Sequence, residues 1–390
     1  MYSVGIDSIG FYSSQYYLDL KILAEARGID VNKFYVGLGQ NKMAVLPPDE
    51  DIVTMGANAA LIALKDIDID DIEMVLFATE SGIDFSKAAG IYVHQLLNLP
   101  NRCRVLELKQ ACYSATAGLQ LGLAMLWQNP KKKILLIASD LARYDLNTAA
   151  ESSQGAGAIA MVLAVSPRIL TINPGSGFYT KDQMDFWRPN YCSAALVDGK
   201  FSCDLYLRVL EETWKQYTKI TGYNFADHLH FCYHVPVPRL VEKAHRRLAK
   251  LNCYQDLSDE TMNFQIGNSL IYSKEVGNCY TAALYIAILS LLENTSNNLQ
   301  DKLLGLYSYG SGCSGEYFSA QVVSGYEKML NLELNKKMLN NRKPISYAEY
   351  FEFYNFKLPI DGSSVSLSIN NTGKFRLAKI EQHKRFYEKL

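Results

Sequence analysis

The stretch Lys109–Leu119, KQACYSATAGL, sets one cysteine among small residues, between an apolar run and a helical pattern. Cys112 falls where the strand Val105–Leu108 gives way to a helix beginning near Tyr113. A thiol at a helix N-terminus feels the positive end of the helix dipole, which favours thiolate, the form that attacks a carbonyl carbon. Ala111, Ser114, Ala115, Ala117 and Gly118 leave room for a substrate to reach the backbone, whose amides can hold an oxyanion. A small buried cysteine filling a tight strand–helix corner has the same signature, so local context leaves both readings open.

Other places carry groups of the right kind. Glu80, in ATESGID, follows the strand Met74–Ala78 with only Thr79 between. Open α/β sheets place ligands at the carboxyl ends of strands. An acid there also serves simply to cap a helix starting near Phe85. His234, in FCYHVPVPRLVEKAHRR, follows a short apolar run and precedes two prolines that stiffen the turn. A hydrogen-bonded loop histidine reads the same way. Beyond it, Arg239 and Lys243 share one face of a helix that also carries Arg246 and Arg247. That is either a solvated basic face or a phosphate dock. Finally, Gly310-Ser311-Gly312 follows a strand, where glycine permits close approach of backbones, and Asn278 opens an apolar helix.

The elements that must hold these groups alternate. Apolar runs predict buried strands at Met74–Ala78, Val105–Leu108, Ile134–Ala138, Ala158–Ala164 and Leu303–Ser308. Helical spacing predicts helices over Ile52–Lys65, Lys87–Leu97 and Ala115–Gln128, the last stopped by Asn129-Pro130. Such alternation implies an α/β protein with sheets covered by helices. The apolar helix Asn278–Leu292, followed by LLGLYS and YGSG, echoes the first half weakly. Gly175–Thr218 is aromatic and turn-rich and reads as an insertion or cap, and Asn340–Leu390 is polar and mixed.

Composition narrows the class. A chain of 390 residues, 48% hydrophobic, can bury a core for two domains or one duplicated unit. A net charge of −1 offers no field for nucleic acid or an anionic membrane. No apolar run approaches the ~20 residues of a spanning helix, and MYSVGIDSIGFYSS has no signal-peptide pattern; the expectation is a cytoplasmic protein. The eight cysteines form no CxxC pair and no zinc-like cluster, so most should be small buried hydrophobes.

Taken together, the ordered motifs resemble the 3-hydroxy-3-methylglutaryl-CoA synthases of the thiolase-fold superfamily, in particular the bacterial mevalonate-pathway form. They run over nearly the whole chain: YYLDLKILAEARGIDVNKF, ATES, KQACYSATAGL, ARYDLN, QGAGAIAMV, DFWRP, LVDG, YHVP, VGNCYTAALY, SLLEN and YGSG. The resemblance implies a five-layered αβαβα fold of two similar halves, 1–165 and 166–390, with an insertion at about 175–218 and Cys112 where the halves meet. By the same resemblance Cys112 is the nucleophile that carries acetyl, Glu80 the general acid/base, and His234 the histidine that positions acetoacetyl thioester. Asn278 and Ser311 fall on acetoacetyl-binding positions, Lys243 and Arg239 on the CoA-contacting helix, and Tyr144, Ser153 and Ser202 on pocket positions.

The implied substrates are acetyl-CoA and acetoacetyl-CoA, the implied assembly a homodimer, and the chemistry asks for no metal or redox cofactor. Ketoacyl synthases of the same fold pair cysteine with two histidines, whereas only His234 of the six here lies in a convincing motif. Some features depart from the mevalonate pattern. Gln110 stands where Glu is usual, Ser152-Ser153 where Pro-Thr is usual, and ESGID, KQACYS, KAHR and the C-terminal RLAKIEQHKRFYEKL resemble synthases that install β-branches on carrier-bound polyketides. An acyl carrier protein is therefore the alternative partner. A catalytically silent thiolase-fold binding module need not keep Cys112, Glu80 and His234 together.

Overall fold

In the computed structural model, which describes residues 3–390, ten strands join in one sheet. The first half supplies five, in the order Val4–Tyr12, Gly155–Val165, Lys133–Ala142, Ile72–Ala78 and Arg104–Leu108. The second half continues from Val4–Tyr12 with Leu170–Ile172, Ser314–Val322, Leu303–Gly310 and His230–Tyr233, and Gly177–Thr180 pairs beside Ser314–Val322. The seam between the halves is narrow: Gly5 faces Thr171 and Ile6 faces Leu170. Only glycine fits there, since a Cβ on Gly5 would lie 1.9 Å from the Leu170 carbonyl oxygen.

Side-chain alternation sends the two faces of the first half-sheet to different helices. On the strand Lys133–Ala142, Ile137 faces Gly56 of the helix Ile52–Ala63, whereas Ile134 and Leu136 face Gly122 and Gly118 of the helix Ser114–Gln128. That second helix also reaches the other half. The Thr116 hydroxyl lies 2.9 Å from that of Tyr285, on the helix Ala283–Asn294, and donates to Ser308 at 2.8 Å. On the opposite face of the second half-sheet, Val209 of the helix Gly199–Thr221 packs on Gly315. Helix, sheet, paired helices, sheet and helix give the five-layered αβαβα order of the thiolase fold.

Two expectations change. The second part of the region expected as an insertion over 175–218 is not a cap: Gly199–Thr221 is a 23-residue helix and one of the five layers. Its buried stripe of Leu205, Tyr206, Val209, Leu210, Thr213, Trp214 and Tyr217 has helical spacing, but three of those seven residues are aromatic and read locally as turn-rich cover. Asp198 caps its start by accepting from the Phe201 amide at 3.1 Å. The apolar helix expected from Asn278 begins at Ala283, after a single tight turn over Tyr280–Ala282, so Asn278 sits in the loop before it. The polar tail is structured too: a helix at Tyr347–Asn355 and a hairpin of Phe375–Glu381 with Lys384–Lys389 dock on the first half. Among the described residues no helix is long and apolar enough to cross a membrane.

Candidate active site

The loop after the strand Arg104–Leu108 turns sharply. Ala111 has a φ of +43°, a left-handed conformation unusual for a residue with a Cβ. The turn is closed by the Ser114 hydroxyl, which donates to the Ala111 carbonyl at 2.9 Å, and Cys112 is left one residue before the helix cap Tyr113. A second turn lies over this one. At Gly310 a Cβ would come within 2.6 Å of both the Gln110 carbonyl oxygen and the Tyr113 amide nitrogen, so two backbones meet where only a hydrogen is tolerated. Gln110 ties the turns together by donating its Nε2 to the Ser311 carbonyl at 3.2 Å. Gly310→Ala should therefore push the turns apart, cost about 1–3 kcal/mol as overpacking does, and slow acetyl transfer to Cys112 at least tenfold. A burst assay with radiolabelled acetyl thioester reads the transfer, and an undiminished burst would contradict this account of the close approach.

Below the Gly310–Gly312 turn lies Asp185, fully buried. It accepts from the Gly312 amide at 2.9 Å, the Tyr309 hydroxyl at 2.7 Å and the Ser202 hydroxyl at 3.0 Å. Ser202 thus reaches the site through Asp185, holding the turn that carries Ser311.

Glu80 comes to Cys112 from the strand Ile72–Ala78. The Cys112 thiol donates to Glu80 Oε1 at 2.9 Å. A second buried carboxylate fixes this segment. Asp140, on the neighbouring strand, accepts from the amides of Glu80 and Ser81 at 3.0 Å each, from the Thr79 hydroxyl at 2.7 Å, and from the Thr281 amide at 3.1 Å and hydroxyl at 2.5 Å. Burial, and then the charge of Asp140, push the Glu80 carboxyl up to about 8, against the downward pull of the thiol's hydrogen bond and of Arg188. Burial also drives the Cys112 thiol well above its ordinary value, with the Glu80 charge second. Desolvation thus outweighs the helix dipole that favours thiolate. At rest the pair is a thiol beside a largely protonated carboxyl, and the thiol can be activated only when Glu80 ionises to take its proton.

His234 follows the strand His230–Tyr233, which runs parallel to Leu303–Gly310. Its amide donates to the Tyr307 carbonyl at 2.7 Å and its carbonyl accepts from the Tyr206 hydroxyl at 2.8 Å. Register therefore sets His234 alongside Ser308, three residues before Ser311. Burial lowers the ring to about 3, so it stays neutral, and its Nδ1 is enclosed with no hydrogen-bond partner among the described residues.

From the other side, the loops at 153–155 and 276–278 interlock. The Asn278 amide donates to the Ser153 carbonyl at 3.3 Å, while the Ser153 hydroxyl turns back to Ala150 at 2.7 Å. Gly155 and Gly277 allow this crossing: a Cβ on Gly277 would lie 2.0 Å from the Gln154 carbonyl oxygen. Asn278 Oδ1 accepts from the Tyr280 amide at 2.9 Å. The Tyr280 ring then meets Phe186 edge-on at 5.7 Å and Tyr144 at 6.5 Å, and this aromatic box, with Ala142 and Ala195, packs around Cys112.

The helix Pro238–Leu251 was expected to present a basic face. Arg246 pairs with Asp259 and Arg247 with Glu211, and Arg239 divides its donors between Glu242 and the Val36 carbonyl, the latter at 3.1 and 2.8 Å. Lys243 is exposed and has no ion-pair or hydrogen-bond partner among the described residues. The structure gathers Cys112, Glu80, Ser311, Asn278 and Tyr144 by contact, sets His234 beside the turn, and leaves Arg239 engaged as a clamp on the loop before Gly39. Sequence reasoning did not single out Asp140, Asp185, Arg188, Phe186 or Tyr280, although DFWRP and VGNCYTAALY contain four of them.

Comparison with known proteins agrees with this geometry. Residues 2–168 match the family model described as hydroxymethylglutaryl-coenzyme A synthase N terminal, and residues 172–258 and 250–388 match its C-terminal counterpart. A hydroxymethylglutaryl-CoA synthase of Enterococcus faecalis is 40% identical over 385 residues, covering 99% of each chain. The polyketide biosynthesis 3-hydroxy-3-methylglutaryl-ACP synthase PksG of Bacillus subtilis is 35% identical over 371 residues, covering 90% of this chain and 87% of that one. Among solved structures, an HMG-CoA synthase complexed with CoA superposes with a TM-score of 0.94 at 39% identity over the whole of both chains, and the curacin biosynthetic pathway HMG synthase, in complex with apo donor-ACP, with 0.93 at 30%, again over both chains entire. A cysteine bonded to a strand-end glutamate beneath a glycine turn, in a chain matched end to end, places this protein in the hydroxymethylglutaryl-CoA synthase family.

Proposed function

We propose that the protein condenses acetyl-CoA with acetoacetyl-CoA and water, giving 3-hydroxy-3-methylglutaryl-CoA and CoA through an acetyl group carried on Cys112. The observation that carries this is the 2.9 Å contact of Cys112 Sγ with Glu80 Oε1 beneath the Gly310–Gly312 turn. Ionised Glu80 takes the thiol proton as Cys112 attacks the acetyl thioester and hands it to the sulfur of the departing CoA, which leaves as a thiol and restores the carboxylate. Removing a proton from the acetyl methyl is harder, because that carbon acid is far weaker than a carboxylic acid. Glu80 manages it only if the enolate oxygen is held by preorganised donors, a role this reading gives to the amides of Cys112 and Ser311. The carbanion adds to the ketone of acetoacetyl-CoA, polarised by neutral His234 and Asn278, and Glu80 returns the proton to the alkoxide. Water then frees the product from Cys112. Every step uses the two thioesters, water and groups of this protein, without a resident cofactor.

CoA is the acyl carrier in this reading. CoA presents phosphates at the enzyme surface, and Lys243 is a free cation in the first half of the helix that would meet them. The β-branching features of the sequence favour a second reading, the same condensation on an acyl carrier protein. Rates with acetyl-CoA plus acetoacetyl-CoA, against the same acyl groups on a carrier protein, decide between them. Free CoA thioesters slower by roughly a hundredfold, about 2.7 kcal/mol in the barrier, would establish the carrier-protein reading. Lys243→Ala should raise KM for CoA substrates roughly tenfold with kcat nearly unchanged, as loss of uniform binding does, whereas Arg239→Ala should act mainly on stability.

The protein works in this reading as a cytoplasmic homodimer supplying isoprenoid synthesis. The strand Arg104–Leu108 ends the ten-stranded sheet with its outer edge unpaired among the described residues, and Leu106 there is 52% exposed. Open apolar edges are normally covered. Light scattering at micromolar concentration should give about twice the 43.8 kDa chain mass, and Leu106→Lys should shift it toward the single-chain value. A wild-type monomer would overturn the dimer.

A further inference from the structure

The final step of the proposed reaction creates a charge that none of the roles assigned so far balances. Water adds to the carbonyl carbon of the Cys112 thioester while Glu80 takes one of its protons. The C–S bond breaks, Glu80 hands that proton to the sulfur, and the other water proton goes to solvent. A free carboxylate is left where the thioester stood, next to two buried acids, Glu80 and Asp140. His234 is held neutral by burial and cannot act as counter-ion.

Arg188, the cation of DFWRP, lies against this spot. It is half-buried, its Nη2 donates to the Glu80 backbone carbonyl, and its charge acts on the Glu80 carboxyl. The buried or partly buried arginines 27, 168, 239, 342, 376 and 385 each have a carboxylate partner, and Arg143, which has none among the described residues, instead lies over the Tyr354 ring and donates to the Tyr354 carbonyl. Arg188 has none among the described residues, and its remaining donors meet no protein acceptor. A guanidinium is a planar fork of donors matched to a carboxylate. Its neighbour Phe186 belongs to the aromatic box around Cys112, so the segment that carries Arg188 also walls the acyl pocket.

We propose that Arg188 is the ligand of the carboxylate released from Cys112, stabilising the hydrolytic transition state and then holding the product's free acid end. This rests on the acetyl-cysteine route above. The test is acid-quenched single turnover, with the mass of the Cys112 peptide read over time. In Arg188→Gln, acetyl-Cys112 should form within about threefold of the wild-type rate. After acetoacetyl-CoA is added, a Cys112 adduct of the full condensed mass should accumulate, its hydrolysis slowed roughly a hundredfold as for loss of one stabilising donor. Arg188→Lys should recover part of that rate. Acetyl transfer damaged as much as hydrolysis would show that Arg188 only positions Glu80, and hydrolysis at the wild-type rate would remove it from the step; either result overturns the proposal. A wild-type measurement guards against a misfolded variant. 3-Hydroxy-3-methylglutaryl-CoA should bind at least tenfold tighter than its analogue with a primary amide in place of the carboxylate, and equal binding would also overturn it. If wild type forms no acetyl-Cys112 at all, the acetyl-cysteine route fails instead, which is a distinct outcome.

Discussion

Cys112→Ala should form no acetyl-enzyme and lose turnover by at least ~10⁴-fold, the scale on which removing a covalent nucleophile acts. The expected magnitude follows from the site's construction. Asp140 and Asp185 arrange the Glu80 segment and the Gly310–Gly312 turn around one sulfur atom. No second nucleophile is provided, since Ser114 and Ser153 both spend their hydroxyls on backbone carbonyls. Stability should move little or even rise. Alanine keeps most of the packing inside the aromatic box, the thiol's one hydrogen bond among the described residues is to Glu80, and functional sites commonly cost stability. Thermal melting should therefore show Cys112→Ala at or above the wild-type midpoint while acetyl incorporation falls to background. Residual incorporation at another residue would contradict the assignment of Cys112, and a lowered midpoint would show that the thiol fills a corner after all.

How much of this was legible in the residues depends on the range of the interaction involved. The strand Ile72–Ala78 and the helices Ile52–Ala63 and Ser114–Gln128 announce themselves through apolar periodicity, and Cys112 and Glu80 follow as residues at their ends. The layer Gly199–Thr221 was hidden because its buried stripe mixes aromatic with aliphatic residues, and a local window cannot tell such a stripe from a cap. Asp140 shows the deeper limit. Alone it is an acid at the end of an apolar strand. Its meaning comes from Thr79, Ser81 and Thr281, the last 141 residues away in sequence, which converge on it only after the halves pack. The basic helix erred in the other direction: Arg239, Arg246 and Arg247 look like a phosphate dock until Glu242, Glu211 and Asp259 are seen to neutralise them.

Glu80→Gln should leave a folded protein that fails in condensation, with losses of ~10²–10⁴-fold, the usual reach of general acid–base catalysis. The pH dependence makes this prediction specific. With its carboxyl near 8, about a tenth of wild-type Glu80 is ionised at pH 7 and about nine tenths at pH 9. The thiol itself stays protonated over that interval. Acetyl transfer should thus rise about tenfold between those pH values as the base appears, and Glu80→Gln should abolish the rise. His234 should not contribute, since it titrates near 3. The same shift predicts a stability effect of known sign. Between about 4.5 and about 8 the native carboxyl keeps a proton that the unfolded chain has lost. Wild-type stability must then fall as pH rises through that window, because the unfolded state binds fewer protons there. Glu80→Gln has nothing to ionise, so its melting midpoint should climb relative to wild type from pH 4.5 to 8, reach a gap worth a few kcal/mol, and hold that gap above pH 8. A midpoint difference independent of pH would mean that Glu80 is ionised in the resting enzyme. In that case the thiol's proton already has an acceptor before substrate arrives, and the rise in acetyl transfer should vanish as well.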